Sequence, residues 1–385
     1  MPTILCISHL EWTRRLFQRP QQVMLRFSKS YKVVYLRVWW PKEWIHLKKH
    51  YRKLRSFRVN DNLFVFNVLM PLPTLAGRLK LFRQFNEWHL LCSLKRHLSI
   101  DTAEDVILWY YCPMHLNLIE KINSSSIIYE CMDNHIALAG RNRSTIDYIR
   151  HNEPYLLSKA DVIFYGSSFF MKSRKEYEYK SYHVPTGVDV DFFGLAMNPD
   201  IRVPDDIKKI KGPIIGYWGA VDERIDYDLL NECATQCPDW SIVLLGPMVK
   251  ITKEQIDFFL KLPNVHWLGP KRYELLPGYA KAFDVCILPF KESDVGKYLN
   301  PTKTMEYLAT GKPVVSTKIP DMVEFYSDTV DIAAGKGQFI ESVEKRIGAD
   351  DHRAKKRRLA RAREWSWEKM VAKMEEIAIL KTKRV

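Results

Sequence analysis

The sequence predicts an α/β protein of two doubly wound, Rossmann-like halves, and three observations carry that prediction. Apolar runs of strand length alternate with helical patterns from Thr3 to Tyr165. The alternation restarts at Pro213, after a stretch rich in Pro, Asp and Lys that has no sustained apolar period. At 385 residues the chain exceeds what one hydrophobic core usually serves, and 46% hydrophobic residues suffice to fill two.

The first half opens with a strand, Thr3 to Ser8, then a polar loop through Arg19 and a helix signalled by Pro20 in its first turn. A second strand, Lys32 to Arg37, follows one helix later, which makes a βαβ unit and therefore a parallel sheet. Further strands are expected at Leu63 to Val68, Val106 to Tyr110, Ser126 to Glu130 and Val162 to Tyr165, with helices at Leu75 to Leu98 and His151 to Ser158. Tyr182 to Lys211 reads as linker. Beyond it come a strand in Pro213-Ile-Ile-Gly-Tyr-Trp-Gly219, a helix from Asp226, and strands at Ser241 to Leu245 and Val265 to Leu268. Trp367, Met370, Met374 and Ile377 recur at spacings of three and four, so Trp365 to Leu380 is expected to be helical. The boundaries on this reading are a first domain over 1–187, a linker over 188–212, a second domain over 213–364, and a terminal helix over 365–385 packing on the first domain.

The most informative segment runs from Asp284 to Thr317. A buried-strand signal, Val285 to Leu288, leads through a polar loop to a short helix, Pro301 to Thr310, then Gly311 and another strand, Pro313 to Ser316. Open α/β sheets bind ligands at the carboxyl ends of their strands, and helix-terminal amides there favour an anion such as a diphosphate. Lys303 and Glu306 lie three apart and share a helix face, so they can offer a cation and a carboxylate to one ligand. A nucleoside diphosphate has both complements, phosphate charge and ribose hydroxyls. The plainer reading is an exposed lysine and a first-turn glutamate favoured by the dipole, and their place after a strand and a polar loop favours function.

The formal net charge is +14, which predicts attraction to a polyanion: nucleic acid, an anionic membrane or an acidic substrate. Nucleic acid is not expected as a partner, since no RNP-like, KH or zinc motif is present. The stretch Arg37 to Arg58 interleaves Trp39, Trp40 and Trp44 with lysines and arginines, as a peripheral membrane surface would. In Arg78 to Arg96, Leu75, Leu79, Phe82, Phe85 and Trp88 follow helical spacing, and two readings stand: a stripe facing the core, or membrane contact. No run of about 18 apolar residues and no signal-peptide pattern is found, so a cytoplasmic protein is expected. The seven cysteines, scattered and odd in number, read as buried reduced thiols. Cys233 and Cys237 have a metal-compatible spacing but no histidine or second cysteine pair nearby in sequence, which favours core packing. Gly-x-Gly-x-x-Gly is absent after the first strand, which disfavours a nicotinamide dehydrogenase.

Four blocks in order, Val184-Pro-Thr-Gly-Val-Asp189 with Phe192 or Phe193, Ile215-Gly-Tyr-Trp-Gly219, Asn264-Val-His-Trp-Leu-Gly269, and Pro301 through Ser316, give the chain its resemblance to GT-B glycosyltransferases. Within these it is most similar to the retaining family 4 type, and to bacterial enzymes of teichuronic-acid and exopolysaccharide assembly. The resemblance implies two Rossmann-like domains facing across a cleft, with the C-terminal helix crossing back. It implies a nucleotide-diphosphate-sugar donor on the second domain and a glycan or lipid-linked acceptor on the first; no metal is expected, because helix-terminal amides reduce the need for Mg2+ to bridge the phosphates. A lipid-linked acceptor would place the protein peripherally at the inner face of the plasma membrane. Glu306 matches the glutamate expected to hold the ribose, while Tyr298 stands where the first glutamate of the family's pair would fall. Asn300, Pro301, Thr302 and Lys303 fit the teichuronic-acid subgroup, and Leu268 lies where the nucleobase is expected. Ala220 follows Gly219 in place of the family's arginine, which leaves Arg224 as the nearby cation for the diphosphate. An enzyme of the same fold that epimerises nucleotide sugars, or a basic nucleic-acid-binding protein, is the alternative.

Transfer requires stabilising the departing diphosphate as negative charge grows on it, and Arg224, Lys303 and the amides from about Thr302 to Met305 could do so. The two Asp-x-Asp pairs, Asp189-Val-Asp191 and Asp226-Tyr-Asp228, read as structural rather than metal-binding. For the acceptor, Asp133 and His135 follow a strand end and are candidates to position or deprotonate a hydroxyl; either could instead be a turn residue. His9, Trp12 and Arg19 in the first βα loop, and Tyr111 after another strand, are the expected acceptor-binding residues. A packed loop tryptophan is the plainer reading of Trp12.

Overall fold

The computed structural model describes residues 1–12, 17–40, 54–72, 80–98, 105–132, 134–138, 143–292, 302–349 and 351–382. The chain divides into two compact units, one of Met1–Gly166, Phe170–Val184 and Val371–Val385, the other of Ser167–Phe169 and Pro185–Met370. Asp133, Tyr298, Asn300 and Pro301 lie outside the described residues, as do Trp44, Leu75 and Leu79.

The first unit is built on one sheet of β1 (Thr3–Ile7), β2 (Lys32–Trp39), β3 (Phe57–Asn60), β4 (Leu63–Leu69), β5 (Val106–Tyr110), β6 (Ser126–Cys131), β7 (Val162–Tyr165) and β8 (Ser181–His183). Its order is β3-β4-β2-β1-β5-β6-β7-β8, and every pairing is parallel except β3 with β4. β1 and β5 are buried at every position, which is why Thr-Ile-Leu-Cys-Ile and Val-Ile-Leu-Trp-Tyr show no polar alternation. The edge strand β3 was not legible, because the alternation in Phe-Arg-Val-Asn is only four residues long and the segment is mostly exposed.

The helix Trp367–Thr382 starts in the second unit, and from Val371 its residues group with the first. Met374 is buried there with its Sδ 3.9 Å from Arg19 Nη2. Tyr31 is pushed up to about 12 by burial and then by the Glu375 carboxylate.

The second unit holds a six-stranded parallel sheet of β9 (Ile214–Trp218), β11 (Ser241–Leu245), β13 (Val265–Gly269), β14 (Val285–Leu288), β15 (Val314–Thr317) and β16 (Asp331–Ala333). A separate two-stranded pair joins β10 (Val221–Asp222) to β12 (Met248–Val249). Residues 188–212, expected as linker, belong to this unit and put a few side chains into its core. Asp189 caps a short helix, Val190–Gly194, by accepting from Phe192 N at 3.0 Å, and Phe193 stacks on Trp218 with centroids 6.0 Å apart. Val188, Ala196 and Ile207 are also buried, too widely spaced to show a period in sequence.

Candidate functional site

Counting strands from β9, the order β13-β11-β9-β14-β15-β16 is 3-2-1-4-5-6, so chain direction across the sheet reverses between β9 and β14. Loops leaving the carboxyl ends of two such strands part from each other and leave a crevice where ligands bind. The residues after β9 and the helix after β14 are therefore where a site is built.

That helix, Lys303–Ala309, buries Thr304, Met305, Tyr307 and Leu308 and leaves Lys303 and Glu306 partly open, with side chains 28% and 14% exposed. Lys303 Nζ donates to Glu306 Oε1 at 3.1 Å and Oε2 at 3.0 Å. Trp218, the last residue of β9, donates its Nε1–H to Glu306 Oε2 at 2.7 Å. Tyr307 fixes Trp218 in turn: its hydroxyl accepts from Trp218 N at 3.0 Å, and the rings meet edge to face at 4.2 Å. The carboxylate is thus aimed by two donors at the strand reversal, with acceptor capacity left for a diol and a cation beside it for an anion.

Two glycines form the floor. Gly219 N donates to Leu245 O at 2.9 Å, and Gly246 N donates to Gly269 O at 2.9 Å, so the ends of β9, β11 and β13 are tied together. Gly246 has φ +142 and a Cβ there would come 1.7 Å from Gly219 O, so only glycine allows the approach. Gly219 has φ +150, with Tyr217 Oη 2.8 Å from where its Cβ would be. Leu268 sits in β13, half-buried against the core.

Arg224 is brought to the same edge because Asp226 N donates to Pro289 O at 2.8 Å and Lys291 N to Arg224 O at 2.8 Å. Its guanidinium is engaged, however, with Asp222: Nε lies 3.0 Å from both carboxylate oxygens and Nη2 2.6 Å from Oδ2. Nη1 makes none of these bonds, and the side chain stays 35% exposed, so a phosphate could meet Arg224 only at its outer side. Asp226 is a helix cap, accepting from Leu229 N at 2.9 Å, which is the structural reading expected for its Asp-x-Asp pair.

The first unit repeats the plan, with the reversal between β1 and β5. His9 follows β1 and His135 opens the helix His135–Leu138 after β6, and their rings meet edge to face at 5.9 Å. His9 stays partly open to solvent, and the loss of water around the rest of its ring, followed by the charges of His135 and Arg37, lowers its pKa to about 4. His115, half-buried after β5 in a left-handed conformation (φ 56), is also lowered to about 4, by burial and then by Arg37.

Two acceptor candidates need correction. Arg19 is 6% exposed and forms an ion pair with Glu130, itself fully buried and accepting from Trp109 Nε1 at 2.8 Å; its guanidinium braces β6 from inside. Tyr111 is 3% exposed, its N–H spent on Ile7 O at 2.9 Å, so its ring belongs to the core. Trp12 is half-buried and packs edge to face on Phe17 and Tyr35 at 5.6 and 5.0 Å, as a packed loop tryptophan. Trp218, Tyr307 and Gly246 are the residues sequence reasoning passed over. Trp218 stood within the Ile-Gly-Tyr-Trp-Gly block, but nothing local reveals that its indole aims Glu306.

Residues 212–346 match the family described as Glycosyl transferases group 1. The chain is 28% identical over 296 residues to the "Putative teichuronic acid biosynthesis glycosyltransferase TuaH" of Bacillus subtilis (strain 168), covering 72% of this chain and 74% of that protein. Among solved structures it is similar to sucrose-phosphate synthase from Thermosynechococcus elongatus, with a TM-score of 0.72 at 13% identity over 100% of both chains. It is also similar to Anabaena Alr3699/HepE in complex with UDP and glucose, with a TM-score of 0.63 at 11% identity over 98% of each. Residues 212–346 are therefore a glycosyl transferases group 1 domain, and the chain is a glycosyltransferase enzyme of the GT-B fold.

Proposed function

We propose that the second unit binds a nucleotide-diphosphate sugar and that the sugar passes to a hydroxyl of an acceptor held by the first. The observation that carries this reading is the Lys303, Glu306 and Trp218 cluster at the strand reversal. Glu306 accepts the ribose hydroxyls, and Lys303 neutralises charge as it grows on the leaving diphosphate, aided by the outer side of Arg224. This arrangement needs no metal to bridge the phosphates. Gly219, Thr302 and Leu268 complete the donor side, with Asn300 and Pro301 expected there too. UDP is the first nucleotide to test, since the Anabaena relative binds it.

On the acceptor side, His9 and His135 supply the support, being side by side at the first unit's own strand reversal. His135 or Asp133 orients or deprotonates the acceptor hydroxyl. Likeness to the family 4 type favours retention at the anomeric carbon. The likeness to the teichuronic-acid protein favours a lipid-linked or polysaccharide acceptor in bacterial cell-surface glycan synthesis, reached from the cytoplasmic face of an anionic membrane. No helix among the described residues is long and apolar enough to cross a membrane, so association of the described part would be peripheral.

The test is release of UDP from UDP-sugars by the purified chain, with and without lipid-linked acceptor, in the presence of EDTA. Acceptor-dependent release supports the reading. Conversion of one nucleotide sugar into another, without acceptor and without release of UDP, points to an epimerase, and no turnover of any nucleotide sugar overturns the reading.

A further inference from the structure

The helix Lys80–Leu98 has two apolar faces, and only one is covered. Asn86, Leu90 and Leu94 recur every four residues and are 5%, 1% and 0% exposed, with Asn86 Nδ2 donating to Leu72 O at 3.2 Å. At 3.6 residues per turn, Leu81, Phe85 and Trp88 fall on the opposite side, where they are 78%, 45% and 59% exposed. Phe82 beside them is 40% exposed, and the Phe85 and Trp88 rings lie 5.7 Å apart. This overturns the core-facing reading of Phe82, Phe85 and Trp88. Singly scattered apolar residues need no explanation, but four on adjoining turns make a patch. Lys95 and Arg96, both exposed, lie farther along the same side.

We propose that this face docks on an anionic lipid bilayer, with Leu81, Phe85 and Trp88 at the boundary of headgroups and acyl chains and Lys95 and Arg96 against lipid phosphates. An amphipathic ring such as indole suits that boundary, and lysine and arginine near it are drawn by the surface potential. A second copy of the chain fits less well. It would bring another Lys95 and Arg96 to the same face of a protein with net charge +14. Four partly exposed side chains also fall well short of the roughly 800 Å² per partner of a stable interface. The proposal deepens the membrane part of the reading above and is independent of the donor site.

The experiment is co-sedimentation of the full chain with vesicles of phosphatidylcholine alone or with one-third phosphatidylglycerol. The wild type is expected to partition several-fold better onto the anionic vesicles. Phe85→Ser with Trp88→Ser should weaken that partition about tenfold or more, given the apolar area lost. Lys95→Gln with Arg96→Gln should erase several-fold of the anionic preference. Thermal melting as in the wild type shows that the variants are folded. Wild type that stays in the supernatant with both vesicles, or a double serine variant that pellets as well as wild type, overturns the proposal. So does a wild-type dimer that the double serine variant abolishes, since the face then belongs to a second copy. Failure to bind any nucleotide-diphosphate sugar with vesicle binding intact refutes the donor reading and leaves this one standing.

Discussion

Replacing Glu306 separates the structural role of its carboxylate from the binding role. In Glu306→Ala the Nε1–H of Trp218, a residue 2% exposed, loses its acceptor at 2.7 Å. An orphaned buried donor costs about 1–3 kcal/mol, so the alanine variant should be less stable by that amount. Glu306→Gln keeps an amide oxygen for the indole. It gives up the ion pair with Lys303, which is partly exposed and contributes under about 1 kcal/mol, so its stability should stay near wild type. A ribose diol donating to a neutral amide rather than a carboxylate loses roughly 1–2 kcal/mol, or about 5–30-fold in Kd. Urea unfolding and calorimetric titration with UDP read the two quantities. A glutamine variant that binds UDP within about twofold of wild type would refute the reasoning, because the carboxylate would then only anchor Trp218.

Other perturbations test the two units separately. Glu130→Gln leaves Arg19 charged and buried without its carboxylate, and should cost about 3–5 kcal/mol in urea unfolding; little loss would mean that the pair is not what braces β6. Gly246→Ala places a Cβ 1.7 Å from Gly219 O, so the variant should be recovered poorly or melt well below wild type, and a native melting curve would contradict the close approach. His115 is lowered from 6.5 to about 4, so between those values the unfolded chain binds more protons. Its contribution is fully present above about pH 6.5 and shrinks as pH falls, by up to about 2 kcal/mol at pH 5. His115→Asn, which tolerates the left-handed conformation, should therefore lose less stability than wild type between about pH 7.5 and 5; parallel losses would contradict the neutral imidazole.

Strands whose burial is complete were legible, because an unbroken apolar run such as Val285 to Leu288 or Val106 to Tyr110 admits few other structures. The helix after β14, with Lys303 and Glu306 on its open face, was legible for the complementary reason that helical spacing fixes which side chains share a face. What local pattern cannot carry is contact across the sheet. Arg19 looked like a loop cation because its partner Glu130 lies 111 residues away, and the role of Trp218 was hidden because Glu306 lies 88 residues on. The Lys80–Leu98 helix shows the limit of periodicity itself. The stripe of Phe82, Phe85 and Trp88 was visible, but spacing alone cannot say whether a stripe faces protein or solvent.

The central claim is that the carboxyl edge of the second unit's sheet binds a nucleotide-diphosphate sugar. Its most direct measurement is the melting temperature of the intact chain against a panel of UDP-, GDP-, ADP- and dTDP-sugars, each with excess EDTA. Bound ligand stabilises the folded state by mass action, so one nucleotide class at about 100 times its Kd should add about 2.7 kcal/mol and raise the melting temperature by several degrees, EDTA notwithstanding. A panel in which no nucleotide sugar shifts the transition would contradict the account.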